Sequence, residues 1–348
     1  MSARRDLVAV FTDAPARSRT ALLLLLAGLL VLPLALDRYL LSVMILILYF
    51  AYLGQAWNVM MGFCGQLSIG HALYVGLGAY TAAALYQHFG IIPWVGMVAA
   101  VGVCVLAASV VGWLAFRFGI SGTYFALLTI AFAEFTRIGF DHFDWVGGSG
   151  GFFLKVVQQD RVDLLNLRGH PLMFYYLALA LTVGGFILSA WLMRGRPGFY
   201  FRAIRDNEEA ALAAGVDTFR YKMYAIQVSA GMTALAGVFF AFFYNNLFPE
   251  QIFSMGRSIE IILAPIIGGV GTLFGPILGA AVLTLLSEGI NEALAMSGHE
   301  VPGAKQILYG LALGLAITFM PHGIWPGLAR RLGLGRGSDG ARREGDDA

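Results

Sequence analysis

The sequence predicts an all-α protein that crosses a membrane about eight to ten times, with helices broken near its interior path. Three observations carry that expectation. Hydrophobic residues make up 58% of the 348 residues and charged residues only 13%; mean hydropathy is +0.73; and the apolar residues fall in long continuous runs. A water-exposed surface needs roughly a quarter to a third of its positions as Lys, Arg, Glu or Asp. Their scarcity excludes the soluble domain pair that this length would otherwise allow. Strands of a membrane barrel alternate apolar and polar residues over about ten positions, and these runs do not alternate.

A helix needs about 20 largely apolar residues to span a bilayer. Candidate spans follow one another at 21–36, 40–61, 66–87, 92–116, 122–140, 172–193, 222–246, 258–270, 273–291 and 305–321. The runs at 21–36 and 258–270 are short for a crossing, which sets the lower end of the range. The first run ends at Asp37-Arg38 without a small-residue cleavage site, so it reads as a retained span rather than a signal peptide. Residues 1–20 and 322–348 then form polar tails around a transmembrane domain at 21–321. Net charge is only +2, from 23 basic and 21 acidic groups, which leaves no basic field for nucleic-acid binding. With ten crossings and an inner N-terminus, 16 of the 23 Lys and Arg residues fall on the inner side. The positive-inside rule therefore places both termini in the cytoplasm.

Two hydrophilic stretches interrupt the pattern. The outer one, 141–171, carries Gly147, Gly148, Gly150 and Gly151. The inner one, 194–221, carries Arg205-Asp206-Asn207-Glu208-Glu209 followed by an alanine-rich stretch and Gly215. Asp206 with Glu209 three residues later forms a capping-box pattern, Glu208 and Glu209 complement a helix N-terminus, and Gly215 stands where a C-cap belongs. A short surface helix is expected there.

Chemistry is excluded more firmly than it is suggested. Lys155, Lys222 and Lys305 are the three lysines, and none completes the GK[ST] end of a phosphate-binding loop. His299-Glu300 lacks the second histidine of a zinc site, because position 303 is glycine. Gly147 to Gly151 matches G-x-S-x-G only formally, since that motif works at a strand-to-helix turn of an α/β sheet. Cys64 and Cys104 sit in apolar runs without a C-x-x-C spacing. No catalytic residue, metal or cofactor is expected.

The 44 glycines cluster at Gly62, Gly65, Gly70, Gly76 and Gly78 and again at Gly268, Gly269, Gly271, Gly275 and Gly279. Gly271, Gly275 and Gly279 have the spacing of a helix-packing ridge. With Pro265 and Pro276, the second cluster also suits helices broken at membrane depth, whose freed backbone lines a path. Glu134 and Arg137 share one helical face, as a structural pair or a polar lining, because a charge there is costly unless paired or wet. Gln66, Ser68 and His71 form a second polar cluster, readable as interhelical hydrogen bonds or as lining. Glu260 and Glu288 sit nearer the expected interfaces.

Four ordered stretches carry a resemblance: Gly62 to His71 with Gly76 to Tyr80, Gly122-Thr123-Tyr124-Phe125-Ala126 through Glu134, Ala203 to Gly215, and Ile267 to Gly279. Together they resemble the LivM-type permease subunits of ABC importers for branched-chain and other hydrophobic amino acids. The resemblance implies a bacterial inner-membrane, multi-pass subunit that pairs with a second, LivH-type permease and two ATPase subunits. A periplasmic binding protein would deliver the substrate, and ATP would be used by the partners alone. It makes 21–321 the permease domain, 141–171 a periplasmic loop and 194–221 a cytoplasmic coupling loop. It assigns Arg205, Asp206, Asn207, Glu208, Glu209 and Gly215 to coupling, and Gln66, Ser68, His71, Tyr124, Glu134, Gly268 and Gly269 to the substrate path. Related permeases also carry urea, short amides or aromatic acids. From another class, an ion-coupled secondary carrier would share the many spans but would need ionisable residues deep in the membrane, where Glu134 is the one reasonable candidate.

Overall fold

The computed structural model describes residues 16–155, 163–296 and 323–331, together with residues 307, 310, 311, 314 and 318. Helix α1, Ala16–Val31, ends in a 3-10 turn at Leu32–Leu34. Asp37 then caps α2, Arg38–Asn58, by accepting the Leu40 N–H at 2.9 Å. A π-helical turn at Val59–Phe63 closes α2. After a non-helical stretch come α3, Ala72–Phe89, and α4, Pro93–Arg117, which starts on a proline in its first turn. Helix α5 is Gly122–Asp141 and α6 is Pro171–Arg194. Two short helices follow, α7 at Arg196–Asp206 and α8 at Glu208–Ala213, before the long α9, Thr218–Tyr244. The one-turn α10, Pro249–Ile252, leads into α11, Met255–Gly268. Helices α12, Gly275–Met296, and α13, Ile324–Arg331, complete the described chain. A two-residue strand β1, Phe152–Phe153, pairs antiparallel with β2, Asn246–Leu247, tying the 141–171 loop to the end of α9.

The expected all-α polytopic architecture is present. Among the described residues five helical stretches are long and apolar enough to cross a membrane by themselves: Arg38–Phe63, Pro93–Arg117, Pro171–Arg194, Thr218–Tyr244 and Pro249–Gly268. Within the spanning windows of α2 and α9, 72% of the residues are buried, against 39% in α4 and α6. The first two are therefore the centre of the bundle, and the latter two face outward. Helix α9 lies against α3 and α4, while α2 holds α6, α11 and α12. The α3–α9 contact is close because glycines face backbone: a Cβ on Gly78 would meet the Ala234 carbonyl at 2.5 Å, and one on Gly237 would run into the Val75 carbonyl.

Several boundaries differ from the sequence expectation for identifiable reasons. The segment 258–270 is not short, because α10, α11 and the two residues between them form a 20-residue stretch from Pro249 to Gly268. The expected span 66–87 begins only at Ala72. Before it, Gly65 adopts a left-handed φ of 75° and Gly70 lies against the Thr129 backbone, so the chain runs non-helically into α3. Helices α5 and α12 occupy the expected 122–140 and 273–291 runs. Most of 305–321 lies outside the described residues, as do the tails at 1–15 and 332–348.

Candidate functional site

The break between α11 and α12 is built from backbone groups that need partners, since a freed N–H or C=O in an apolar interior costs several kcal/mol. Asn58, at the end of α2, supplies two of them. Its Oδ1 accepts the Gly271 N–H at 2.8 Å, and its Nδ2 donates to the Thr272 carbonyl at 2.9 Å. The Thr272 hydroxyl donates to the Gly269 carbonyl at 2.7 Å and accepts the Gly275 N–H at 3.0 Å. Gly269 and Gly271 have φ values of 125° and 77°, which only glycine adopts without strain. Pro265 lies inside α11, so the break falls at Gly268–Gly269 and not at the proline. The packing ridge is corrected as well. Gly271 belongs to the turn, while Gly275 and Gly279 keep the close contact together with Gly268, since Cβ atoms on the three would collide with the carbonyls of Gly269, Ala264 and Gly275 respectively.

The second polar cluster is closed on itself. Ser229 donates its hydroxyl to the Ala56 carbonyl at 2.7 Å, so it accepts from His71 Nε2 at 2.8 Å. That leaves His71 Nδ1 to accept from Ser68 Oγ at 3.1 Å. Trp57 Nε1 donates to the Ser68 carbonyl at 2.8 Å, and Gln66 Nε2 to that of Cys64 at 3.3 Å. Gln66, Ser68 and His71 are all buried. Thr129 links this stretch to α5 by accepting the Ile69 N–H at 3.1 Å. On the opposite face of α5, Tyr124 is 77% exposed, and Glu134 pairs with Arg137 at 2.6 Å, which also holds Asp141 at 2.7 Å. The seven path candidates thus occupy three places: the buried network, the helix break and the bare face of α5.

At the far end of the bundle, α7 and α8 replace the single surface helix expected from the sequence. Asp206 is the last residue of α7 and engages its neighbour Arg205 at 3.1 Å. The cap falls one residue later, on Asn207, whose Oδ1 accepts the Ala210 N–H at 2.9 Å. Glu208 turns inward to Lys222 at 2.5 Å, a lysine whose side chain is 6% exposed and lies 4.9 Å from the centre of the Phe116 ring. Arg205 reaches the membrane helices: its Nη1 donates to the Gly62 carbonyl in the π turn at 2.9 Å. Gly65 admits it, since a Cβ there would sit 3.1 Å from the Arg205 Cα, and a Cβ on Gly271 would lie 3.0 Å from its Nη1. Glu209, Leu212, Ala213, Ala214 and Gly215 remain exposed.

The arrangement is a continuous link. An exposed knob at 209–215 sits on α8, an ion pair ties α8 to α9, and Arg205 ties α7 to the end of α2, where Asn58 holds the α11–α12 break. Sequence reasoning missed Asn58 and Lys222. A lone amide and a lone lysine beside apolar runs were the available signals, because each is costly there without a partner. Among the described residues no group of three or more His, Cys, Asp or Glu is placed to hold a metal ion.

Comparison with known proteins places this geometry in context. A family model described as branched-chain amino acid transport system, permease component, matches residues 39–317. The chain is 26% identical over 340 residues to the high-affinity branched-chain amino acid transport system permease protein LivM of Escherichia coli K12, covering 90% of this chain and 77% of that protein. It is 29% identical over 137 residues to LivH of the same organism, covering 39% of this chain and 42% of LivH. A 111-residue stretch, 30% of this chain and 33% of the relative, is 36% identical to the autoinducer 2 import system permease protein LsrC of Photorhabdus laumondii. No solved structure matches the chain.

Proposed function

The chain belongs to the family of permease components of branched-chain amino acid transport systems, and from that premise we propose how it works. It is a multi-pass permease subunit of an ABC importer. In this reading it moves branched-chain or other hydrophobic amino acids across the bacterial inner membrane. A periplasmic binding protein delivers them, a LivH-type permease forms the other half of the path, and two ATPase subunits supply the work. The single observation that carries the mechanism is the Arg205 contact with Gly62, because it joins the exposed α7–α8 corner to the place where two membrane helices are interrupted.

An ATPase seated on Leu212 to Gly215 would push on α8. The Lys222–Glu208 pair and the short α7–α8 junction leave that corner little freedom to absorb the push, so displacement passes to α9 and, through Arg205, to the π turn of α2. Packed interfaces respond to such shifts by jumping between discrete arrangements, and a segment interrupted at glycines is where the jump is cheapest. The bare face of α5, with Tyr124 and Glu134, is then the wall that the substrate passes, opposite the second permease. Gln66, Ser68 and His71 act behind it by fixing the chain that supports α5, and Gly268 and Gly269 supply the hinge.

This reading places α7 and α8 in the cytoplasm with both termini, and the 141–171 loop in the periplasm. Single cysteines at Ser149 and at Asp217, in a background with the buried Cys64 and Cys104 replaced, are expected to react with a membrane-impermeant thiol reagent from opposite sides. In intact cells only the Ser149 position should label. Labelling of both positions from one side would overturn the topology and with it the coupling role.

A further inference from the structure

Between α4 and α6, with α9 as its floor, lies an open apolar cleft of about 490 Å³. Val105 forms one wall, Gly184 and Leu188 the other, and Tyr224, Gly231 and Leu235 run along the floor. Gln227 on that floor donates through Nε2 to Ser109 Oγ at 2.8 Å, and the lining is otherwise dominated by aliphatic side chains and glycines. A second cleft of about 470 Å³ continues from Ala180 toward Trp94 and Tyr176 at the other end of α4 and α6. The two lie end to end along the same pair of helices.

Length and charge decide the occupant. From Tyr224 to Leu235 a helix rises about 17 Å, close to half of the roughly 30 Å hydrocarbon core. The cleft therefore has the length of one leaflet, that is, of one acyl chain. Continuing the Tyr224 stripe by one further turn reaches Arg220, and α4 ends in Arg117; both arginines are exposed. Trp113 lies one turn before the Arg117 end of α4, and Trp191 one turn before the Arg194 end of α6, positions that suit headgroup-level aromatic residues. At the opposite end Trp94 and Tyr176 supply the aromatic belt, and among the described residues the neighbouring Arg168 is buried against Tyr86, Phe242 and Asn245.

We infer that the cleft beside Gly184 and Gly231 is a binding site for one acyl chain of an anionic phospholipid, whose phosphate is held by Arg220 and Arg117. The basic residues at the mouth select the headgroup, and the small residues make room for the chain. The inference does not depend on which solute the permease carries.

Gly184 makes the test clean, because a Cβ there meets nothing within 4 Å and a larger side chain enters the cleft without displacing backbone. The full-length chain, purified in detergent and incubated with phosphatidylglycerol or phosphatidylcholine, is weighed by native mass spectrometry at low lipid concentration. The unmodified protein should retain one phosphatidylglycerol in at least tenfold preference to phosphatidylcholine. Gly184→Leu should lose that lipid, whereas Gly102→Leu, on an exposed position of α4 outside the cleft, should keep it. Arg220→Gln with Arg117→Gln should retain both lipids equally and weakly. Equal retention of the two lipids by the unmodified protein, or undiminished phosphatidylglycerol in Gly184→Leu, would overturn the inference. So would a Gly184→Leu variant that keeps its lipid but no longer associates with a second permease, which would assign the cleft to a protein interface.

Discussion

Replacing Leu212 with aspartate is expected to abolish uptake while leaving the chain folded in the membrane. Leu212 is 52% exposed on a six-residue helix whose buried side is held by Ala211 and by the Glu208–Lys222 pair, so the substitution costs the fold little. A large apolar residue left bare on a rigid corner suits the centre of an interface, and where such a residue is a hot spot its loss costs about 2 kcal/mol or more. A buried, unpaired aspartate adds a desolvation penalty to that loss. Association with the ATPase subunits should therefore weaken by about 30-fold or more, since each 1.4 kcal/mol is tenfold. Co-purification of the ATPase subunits with the variant permease measures it directly. Glu208→Lys is a poorer probe than the charge pattern suggests, because Glu208 faces the buried Lys222 and a second ammonium group beside it would disturb α9 itself.

The second large effect concerns Arg205, and its signature is uncoupling rather than loss of assembly. Arg205→Ala removes a charged donor from the Gly62 carbonyl, an interaction class worth about 1.5–3 kcal/mol. It leaves Leu212 and the Asn207 cap untouched. The ATPase subunits should still co-purify, but ATP hydrolysis should no longer rise when loaded binding protein is added, and uptake should fall by at least tenfold. Arg205→Lys should restore only part of the coupling, because an ammonium lacks the planar fork with which the guanidinium bridges the Gly62 carbonyl and the Asp206 carboxylate. Normal stimulation of hydrolysis in Arg205→Ala would remove this residue from the link.

How much of this was legible in the sequence depends on which interaction set each feature. The cores of α2, α4, α6 and α9 follow from unbroken apolar runs, which have one solution in a bilayer. The stretch 64–71 does not, because its residues are as apolar as a helix and its irregular path is set by Gly70 lying on the Thr129 backbone of α5, 59 positions away in the chain. The capping pattern points to Asp206 as the cap. Asn207 rather than Asp206 became the cap, because Arg205 engages Asp206 within α7 and Lys222 draws Glu208 into the first turn of α8. The glycine spacing 271, 275, 279 reads as one ridge in sequence, yet a φ of 77° takes Gly271 off the helix and into the grip of Asn58. The polar residues Gln66, Ser68 and His71 were recognisable as a cluster, but their partners come from elsewhere: Ser68 and His71 are held by Trp57 and Ser229, on α2 and α9, while Gln66 donates to the Cys64 carbonyl. Glu134 shared a face with Arg137 as expected, and the third member, Asp141, lies one turn further on the same helix.

In the proposed mechanism, ATP hydrolysis on separate subunits drives solute through this permease by way of α7 and α8. Vesicles reconstituted with this chain, its permease partner and both ATPase subunits, and supplied with binding protein and labelled leucine, test it most directly. Uptake should require ATP inside the coupling compartment, should persist when ion gradients are collapsed, and should vanish in Leu212→Asp. Robust leucine uptake by the permease chains alone, driven by an imposed ion gradient without ATPase subunits or nucleotide, would contradict the claim.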